Sequence, residues 1–395
     1  MRGNIPKPVV RTLANVSPEH IAELGGKGRE MLAGLRAEGL YRPLNQYKAR
    51  LEEGRITYGE GYPITAFEKF LGYYDRTNNT AFAPSVSMTT DFSIARCFCR
   101  YLREPGRDFV TLDGERDESY DKRARKALDI FREVNGIEGS FQFIITRDRS
   151  KYGRAKGLGE SAAVAAAASR ALVANVFGEE ATNDDSFVSR YAKLVSGSGS
   201  RSVTGGISVW VSFPGIPEEQ SYGIRLPFDT SNFYFAVYPA MHGITTLKAH
   251  DVAMSSDFYQ TWAAMKYDKV MNLIRGRSIK DLMEQAQLDM FKLNALMMTG
   301  GKNGGTVIQT PESLEIIQHV VDFQNRGKPL YMTADTGPSI VIMSNDRSVL
   351  GEFIAEEKER SWKTPIIGAI PKRVSSEANT EELRRVSDLF ASLRT

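Results

Sequence analysis

Alternating apolar and polar positions mark strands along this chain, and apolar positions recurring every third or fourth residue mark helices. Ser85–Ser93, Ser140–Thr146 and Ile207–Phe213 read as strands, with helices predicted over Tyr120–Val134 and Asp185–Val195. A second set follows. It comprises a strand at Phe233–Tyr238, helices over Ser256–Ile274, Ser278–Leu296 and Pro311–Gln324, and strands at Leu330–Ala334 and Ser339–Met343. A closing helix spans Glu381–Leu393, with Thr380 placed to cap it. The first 55 residues look helical and charged. Ser17-Pro18-Glu19 supplies a capping hydroxyl and a first-turn proline, and Leu44–Leu51 continues the helical character. Pro214-Gly215-Ile216-Pro217 is the best linker. The pattern predicts an α+β chain: an N-terminal extension over 1–55, a first lobe over 56–217 and a second over 218–395.

Composition narrows this further. At 395 residues the chain has room for two or three domains, and 42% hydrophobic with 25% charged residues excludes long disorder. Lys and Arg number 51 against 48 acidic residues, so bulk charge makes no case for nucleic acid or a membrane surface as partner. The apolar stretch Ala162–Phe177 is interrupted by Ser169 and Arg170 and is too short to span a bilayer. No signal-peptide run is visible at the N-terminus. Cys97 and Cys99 would share a face on a strand. Two thiols and four histidines exclude a disulfide framework and are too few for a metal site, so a cytoplasmic protein without metal or cofactor is expected. His20, His242 and His319 read as surface or satisfied histidines, whereas His250 is a candidate to reach a cleft. Trp210, Trp262 and Trp362 read as packing anchors.

Three loops could carry chemistry. Gly157-Leu158-Gly159-Glu160-Ser161 feeds an alanine-rich helix, whose free N–H groups and dipole make either an anion site or a capped tight turn. Ser196–Gly206 sets Arg201 among hydroxyls and glycines. That is the composition of an anion cradle or of a flexible linker. Asp335 sits in a turn between two apolar strands, as a functional carboxylate or as a plain turn residue. A fourth element is Lys69 in KFLGYYD, followed by APSVSMTT; a lone lysine is ordinarily solvated.

Taken in order, these elements resemble the mevalonate diphosphate decarboxylase branch of the GHMP superfamily. That branch carries K-Y-W-G-K-R-D, P-x-x-x-S-x-S-V-T, G-L-A-S-S-A-A, S-G-S-A-C-R-S-L-x-G-G and F-D-A-G-P-N. Here the counterparts are KFLGYYD, APSVSMTT, GLGESAA, SGSRSVTGG and ADTGPS, spread between about Tyr62 and Met343. The resemblance implies the two-lobe GHMP fold, with a mixed-sheet first lobe and a ferredoxin-like second lobe. It implies Lys69, Arg201 and Asp335 as catalytic residues. It also implies Tyr73, Ser161, Ser198, Ser200, Ser202 and Lys248 as substrate-binding residues. A homodimer would be in keeping with it.

Three positions depart from the pattern. Glu160 replaces a phosphate-facing serine, Tyr73 replaces a second lysine, and Lys248-Ala249-His250-Asp251 stands where a Ser or Arg usually nears the phosphates. Unless neutralised, a carboxylate at the helix start would repel ATP by roughly 4 kcal/mol per charge pair at about 4 Å. Within the branch, the chain is therefore similar to the archaeal decarboxylases of mevalonate 3,5-bisphosphate, whose leaving group is already installed. The expected reaction is ATP-independent release of CO2 and phosphate to leave isopentenyl phosphate, as part of isoprenoid biosynthesis. An ATP-dependent diphosphomevalonate or phosphomevalonate decarboxylase, a mevalonate kinase and a catalytically inactive binding protein are the alternatives. A carboxylate beside a polyanionic substrate needs a cation, so a Lys69–Asp335 contact is expected.

Overall fold

The computed structural model describes residues 16–116, 118–151, 158–241, 245–301, 305–361, 363–371, 378 and 380–392. Gly157, His242 and Trp362 lie outside them.

The first lobe is built on the nine-residue strand Ile94–Leu102, which the periodicity reading left unassigned. It pairs antiparallel with Ile56–Gly61 on one side and Ser140–Asp148 on the other. Phe109–Leu112 joins Ser140–Asp148 in parallel, which makes the sheet mixed. Period-two alternation sends Ala95, Cys97, Cys99 and Tyr101 to one face. There they pack on the helix Glu160–Phe177; Cys97 and Cys99 share a face as their spacing predicted, and both thiols are free and buried. Phe98 points the other way, with Tyr58 and Ile144, and is covered by Val386 and Phe390 of the closing helix Thr380–Ser392. The alanine-rich helix lies almost backbone to backbone on the first strand. A Cβ at Gly61 would stand 2.2 Å from the Ala163 carbonyl oxygen, and one at Gly59 2.4 Å from that of Ala167. Glycine on the strand and alanine on the helix permit this approach.

A four-stranded sheet in the order Gly223–Arg225, Ile207–Trp210, Ser85–Thr89, Ile64–Glu68 carries most of the site. The boundary expected at 217 falls inside this sheet, because Gly223–Arg225 still pairs with Ile207–Trp210. The second lobe is an antiparallel sheet in the order Leu330–Thr333, Ile340–Ser344, Tyr234–Tyr238, Ile366–Gly368. Ala236 and Tyr238 face the helices Pro311–Asn325 and Arg347–Ser361, whereas Phe235 and Val237 face the first lobe. They share one apolar core there with Val86, Met88, Val209 and Val211. The helices Tyr259–Gly276 and Ile279–Thr299 complete that shared core.

The two chain ends cross over. The first helix, Pro18–Ala37, begins as expected with the Ser17 hydroxyl accepting the His20 N–H, and it lies on the second-lobe helix Tyr259–Gly276. Leu44–Leu51 is not helical, which corrects the pattern-based expectation. Pro43 and the packing of its neighbours override propensity. Tyr41 stacks on Tyr222, Tyr47 packs on Phe187, and Arg50 N–H donates to the Val176 carbonyl. His319 is buried between Glu357, at 2.6 Å, and Glu356, at 3.4 Å. Trp210 is fully buried and donates to the Ser221 hydroxyl.

Candidate active site

Lys69 follows the strand Ile64–Glu68 directly and is 2% exposed. Its Nζ donates to Thr333 Oγ1 at 2.6 Å, to Asp335 Oδ1 at 2.9 Å and to the Ala66 carbonyl. Thr333 ends the strand Leu330–Thr333, and Asp335 lies two residues on, at the same parity. The sheet of the second lobe thus delivers both acceptors to one lysine of the first. The expected Lys69–Asp335 contact is present.

Arg201 lies in a helical segment, Gly199–Thr204, where the composition had suggested an open loop. Side chains fold back on the backbone and wind that turn. The Ser200 hydroxyl donates to the Gly197 carbonyl, and Thr204 donates to the Ser200 carbonyl. Ser202 donates to the Tyr62 carbonyl. Ser200 and Ser202 are therefore engaged by backbone, and Ser198 is the loop hydroxyl that meets Arg201, accepting from Nη2 at 3.2 Å. The guanidinium is 1% exposed, yet Nε and Nη1 have no partner among the described residues. Burial lowers Arg201 to about 10, against the opposing pull of Asp335 and Tyr73, so it stays charged at neutral pH. The hydroxyls of Ser85 and Ser87 are likewise buried and unpartnered. They share a face of Ser85–Thr89, beside Ser208, whose hydroxyl donates to the Arg201 carbonyl. A buried cation with two open donors has the chemistry to receive an anion.

Tyr73 packs edge-on against Phe70, and burial raises its phenol, partly offset by Arg123, the Gly197 backbone, Arg76 and Arg201. His250 is buried against both rings, and its Nδ1 accepts the Gly72 N–H at 2.9 Å, which leaves the ring proton on Nε2. It braces the loop after Lys69 as a neutral ring. Burial, reinforced by Arg76, lowers His250 to about 3. An unfolded histidine titrates near about 6.5, so between these values the unfolded chain binds a proton that the folded chain does not. His250's contribution to stability is complete above that upper value and declines as pH falls toward the lower, at about 1.4 kcal/mol per pH unit. His250→Gln keeps an acceptor for Gly72. Denaturant titrations across this window are expected to show its acid slope reduced by that amount, and an unchanged slope would refute the assignment.

Glu160 opens the alanine-rich helix, but it is not a bare carboxylate. Arg149 Nε stands 2.6 Å from Oε1 and Arg147 Nη1 3.3 Å from Oε2. Arg147 is shared with Asp113, at 2.6 Å. The repulsion expected from Glu160 is thus cancelled by the protein's own arginines. Gly159 before it takes a left-handed φ of 71°, and a Cβ there would stand 2.3 Å from the Ile64 carbonyl oxygen, so glycine is required. Ser161 is half-buried at this helix start and Lys248 is exposed on Thr246–Met254. Among the described residues, neither makes a hydrogen bond or ion pair with the Lys69–Arg201–Asp335 cluster.

Sequence reasoning missed a second buried group. Lys266 Nζ lies 2.6 Å from Glu68 Oε2 and 3.0 Å from Asp289 Oδ2, and Asp289 accepts the Lys69 N–H. Burial, together with the Asp289 charge, raises Glu68. For Asp289 burial is outweighed by Lys266 and the Lys69 N–H, which hold it below the ordinary carboxylate range. A signal was available. Lys266 and Asp289 each interrupt an apolar helical stripe: Tyr259, Ala263, Val270 and Ile274 in one, and Leu282, Ala286, Leu293 and Leu296 in the other.

The fold defines the class. The structure aligns with mevalonate diphosphate decarboxylase from Staphylococcus aureus at a TM-score of 0.66 and 20% identity, covering 81% of this chain and 98% of that one. It aligns also with the mevalonate-3-kinase of Thermoplasma acidophilum at a TM-score of 0.62 and 14% identity, covering 82% and 98%. Residues 61–222 match the diphosphomevalonate decarboxylase-like N-terminal domain. The fold is thus that of the GHMP-type decarboxylases and kinases. The mevalonate 3,5-bisphosphate decarboxylase of Thermoplasma acidophilum is 47% identical over 334 residues, 84% of this chain and 81% of that protein. Its counterpart in Thermoplasma volcanium is 46% identical over 345 residues, 87% and 89% respectively. The chain belongs to the mevalonate 3,5-bisphosphate decarboxylase family, a family of carboxy-lyases.

Proposed function

We propose that this protein decarboxylates mevalonate 3,5-bisphosphate without ATP, giving CO2, phosphate and isopentenyl phosphate. One observation supports this reading above the others: the two relatives that are 47% and 46% identical over most of this chain are mevalonate 3,5-bisphosphate decarboxylases. In the related motif the start of the alanine-rich helix faces nucleotide phosphates. Here Glu160, paired with Arg147 and Arg149, stands at that helix start in place of a serine.

The leaving group then arrives on the substrate, and no base is required. The C3–O bond breaks with its electron pair going to phosphate. The bond between the carboxylate carbon and C2 breaks next, and its electron pair forms the C2–C3 double bond as CO2 departs. Asp335 stabilises positive charge developing at C3, held in register by Lys69. The open Nε and Nη1 of Arg201 take the charge growing on the departing phosphate. Ser198 and Tyr73 line the substrate's phosphate side, with Ser200 and Ser202 shaping the turn, and Ser161 and Lys248 contribute at its margin. Cys97 and Cys99, both free, suit a reducing cytoplasm. Among the described residues, no helix is long and apolar enough to cross a membrane.

Purified protein incubated with mevalonate 3,5-bisphosphate and no nucleotide is expected to release CO2 and phosphate in equal amounts. Turnover only when ATP is added, with ADP formed in step with CO2, would assign the ATP-dependent reaction instead.

A further inference from the structure

Two carboxylates and one ammonium are sealed beneath Lys69, at the boundary between the lobes. Glu68 precedes Lys69 in the first lobe, whereas Lys266 and Asp289 come from the second-lobe helices Tyr259–Gly276 and Ile279–Thr299. None of the three is more than 1% exposed. One Asp289 oxygen accepts the Lys69 backbone N–H at 2.7 Å and sits 3.0 Å from Lys266 Nζ. The other accepts Trp262 Nε1–H at 2.8 Å. Lys266 Nζ also stands 4.4 Å from the centre of the Trp262 ring.

Stability alone gives no reason for this arrangement. Charges buried this deeply are paired at a desolvation cost, and apolar residues of similar volume would serve a core at least as well. What the network does is geometric. Lys69 is gripped at both ends by the second lobe: its N–H by Asp289, its Nζ by Thr333 and Asp335. The backbone contact sets where the side chain starts, and the ammonium contact sets where it ends.

The geometry points to Asp289 as a positioning residue for Lys69, holding its backbone so that the ammonium stands correctly against Asp335 and the substrate, with Lys266 and Trp262 holding Asp289 in turn. This rests on the role given to Lys69 above. It also makes the rate sensitive to the seating of one lobe on the other, because Asp289 grips across the boundary.

Asp289→Asn tests it without changing volume. An amide can accept from one of the two N–H donors but turns its own NH2 toward the other. A displacement of about 1 Å in a reacting group costs on the order of a hundredfold in rate. The variant is expected to lose about 30-fold in kcat for CO2 release, with KM unchanged within about threefold. In a Lys69→Met background the same substitution is expected to alter the residual rate by less than about twofold, since the group it positions is gone. Trp262→Phe removes one donor and keeps a ring. It is expected to give about a fivefold loss with the same split between kcat and KM, and it decides the matter if Asp289→Asn does not fold. Wild-type kcat in the folded variant, or an equal loss in both backgrounds, overturns the positioning role. Wild-type kcat in Lys69→Met alone would instead overturn the reading of the site, and this inference with it.

Discussion

Asp335→Asn is expected to lose about three orders of magnitude in kcat, roughly 4 kcal/mol of transition-state stabilisation, without any rise in KM. The two halves of that result have one cause. The carboxylate sits 2.9 Å from Lys69 Nζ and its side chain is 22% exposed, so it meets the lysine and keeps partial access to solvent. Positive charge at C3 exists only as the tertiary phosphate leaves, so a carboxylate that stabilises it acts on the transition state and not on the bound substrate. In the ground state the same carboxylate repels a polyanion, and its removal relieves that repulsion. Steady-state CO2 release against substrate concentration separates the two parameters. Full activity in the variant would remove Asp335 from the chemistry, whereas a large rise in KM at unchanged kcat would make it a binding group.

Arg201→Met is expected to move function and stability in opposite directions. The guanidinium is fully buried, with two N–H groups unpartnered among the described residues, so the unliganded protein carries a desolvated and under-satisfied cation. A methionine of similar reach removes that burden, and the thermal midpoint is expected to hold or rise. Each charge-assisted hydrogen bond to substrate is worth about 1.5–3 kcal/mol, so two lost donors lower kcat/KM by roughly a hundredfold to ten-thousandfold. The stored strain is then the means of anion recognition, as in other sites that trade stability for activity. Calorimetry on the variant, alongside its kinetics, checks both signs. A destabilised protein with near-normal kcat/KM would show that Arg201 is a structural residue.

The elements that sequence pattern located well are those whose burial is one-sided. Asp185–Val195 and Pro311–Asn325 carry a clear helical stripe and strong caps at Asp184 and Thr310. Ile56–Gly61, Ile64–Glu68 and Ile94–Leu102 were missed because their neighbours bury both faces, so apolar, glycine and charged residues mix without a period. Leu44–Leu51 misled because its local composition favours a helix, whereas its docking on the first lobe favours an extended path. Glu160 misled in a different way. Its charge was legible, but its partners, 11 and 13 residues upstream, meet it only through the fold.

By itself the sequence determined which chemistry-bearing residues the chain possesses and in what order: Lys69, the serine-framed Arg201 and the turn holding Asp335. Motif spacing encodes this because such groups need particular local backbones, a tight turn or a strand end, and local backbone is written locally. The tertiary structure alone decided which of them meet. Lys69 and Asp335 lie 266 residues apart, and they touch because two sheets share one apolar core. The same packing seals Lys266 and Asp289 beneath them, where a buried charge must find partners or lose its charge. Pairings of that kind depend on distance in space and on exclusion of water, and neither is a property of any short stretch of chain.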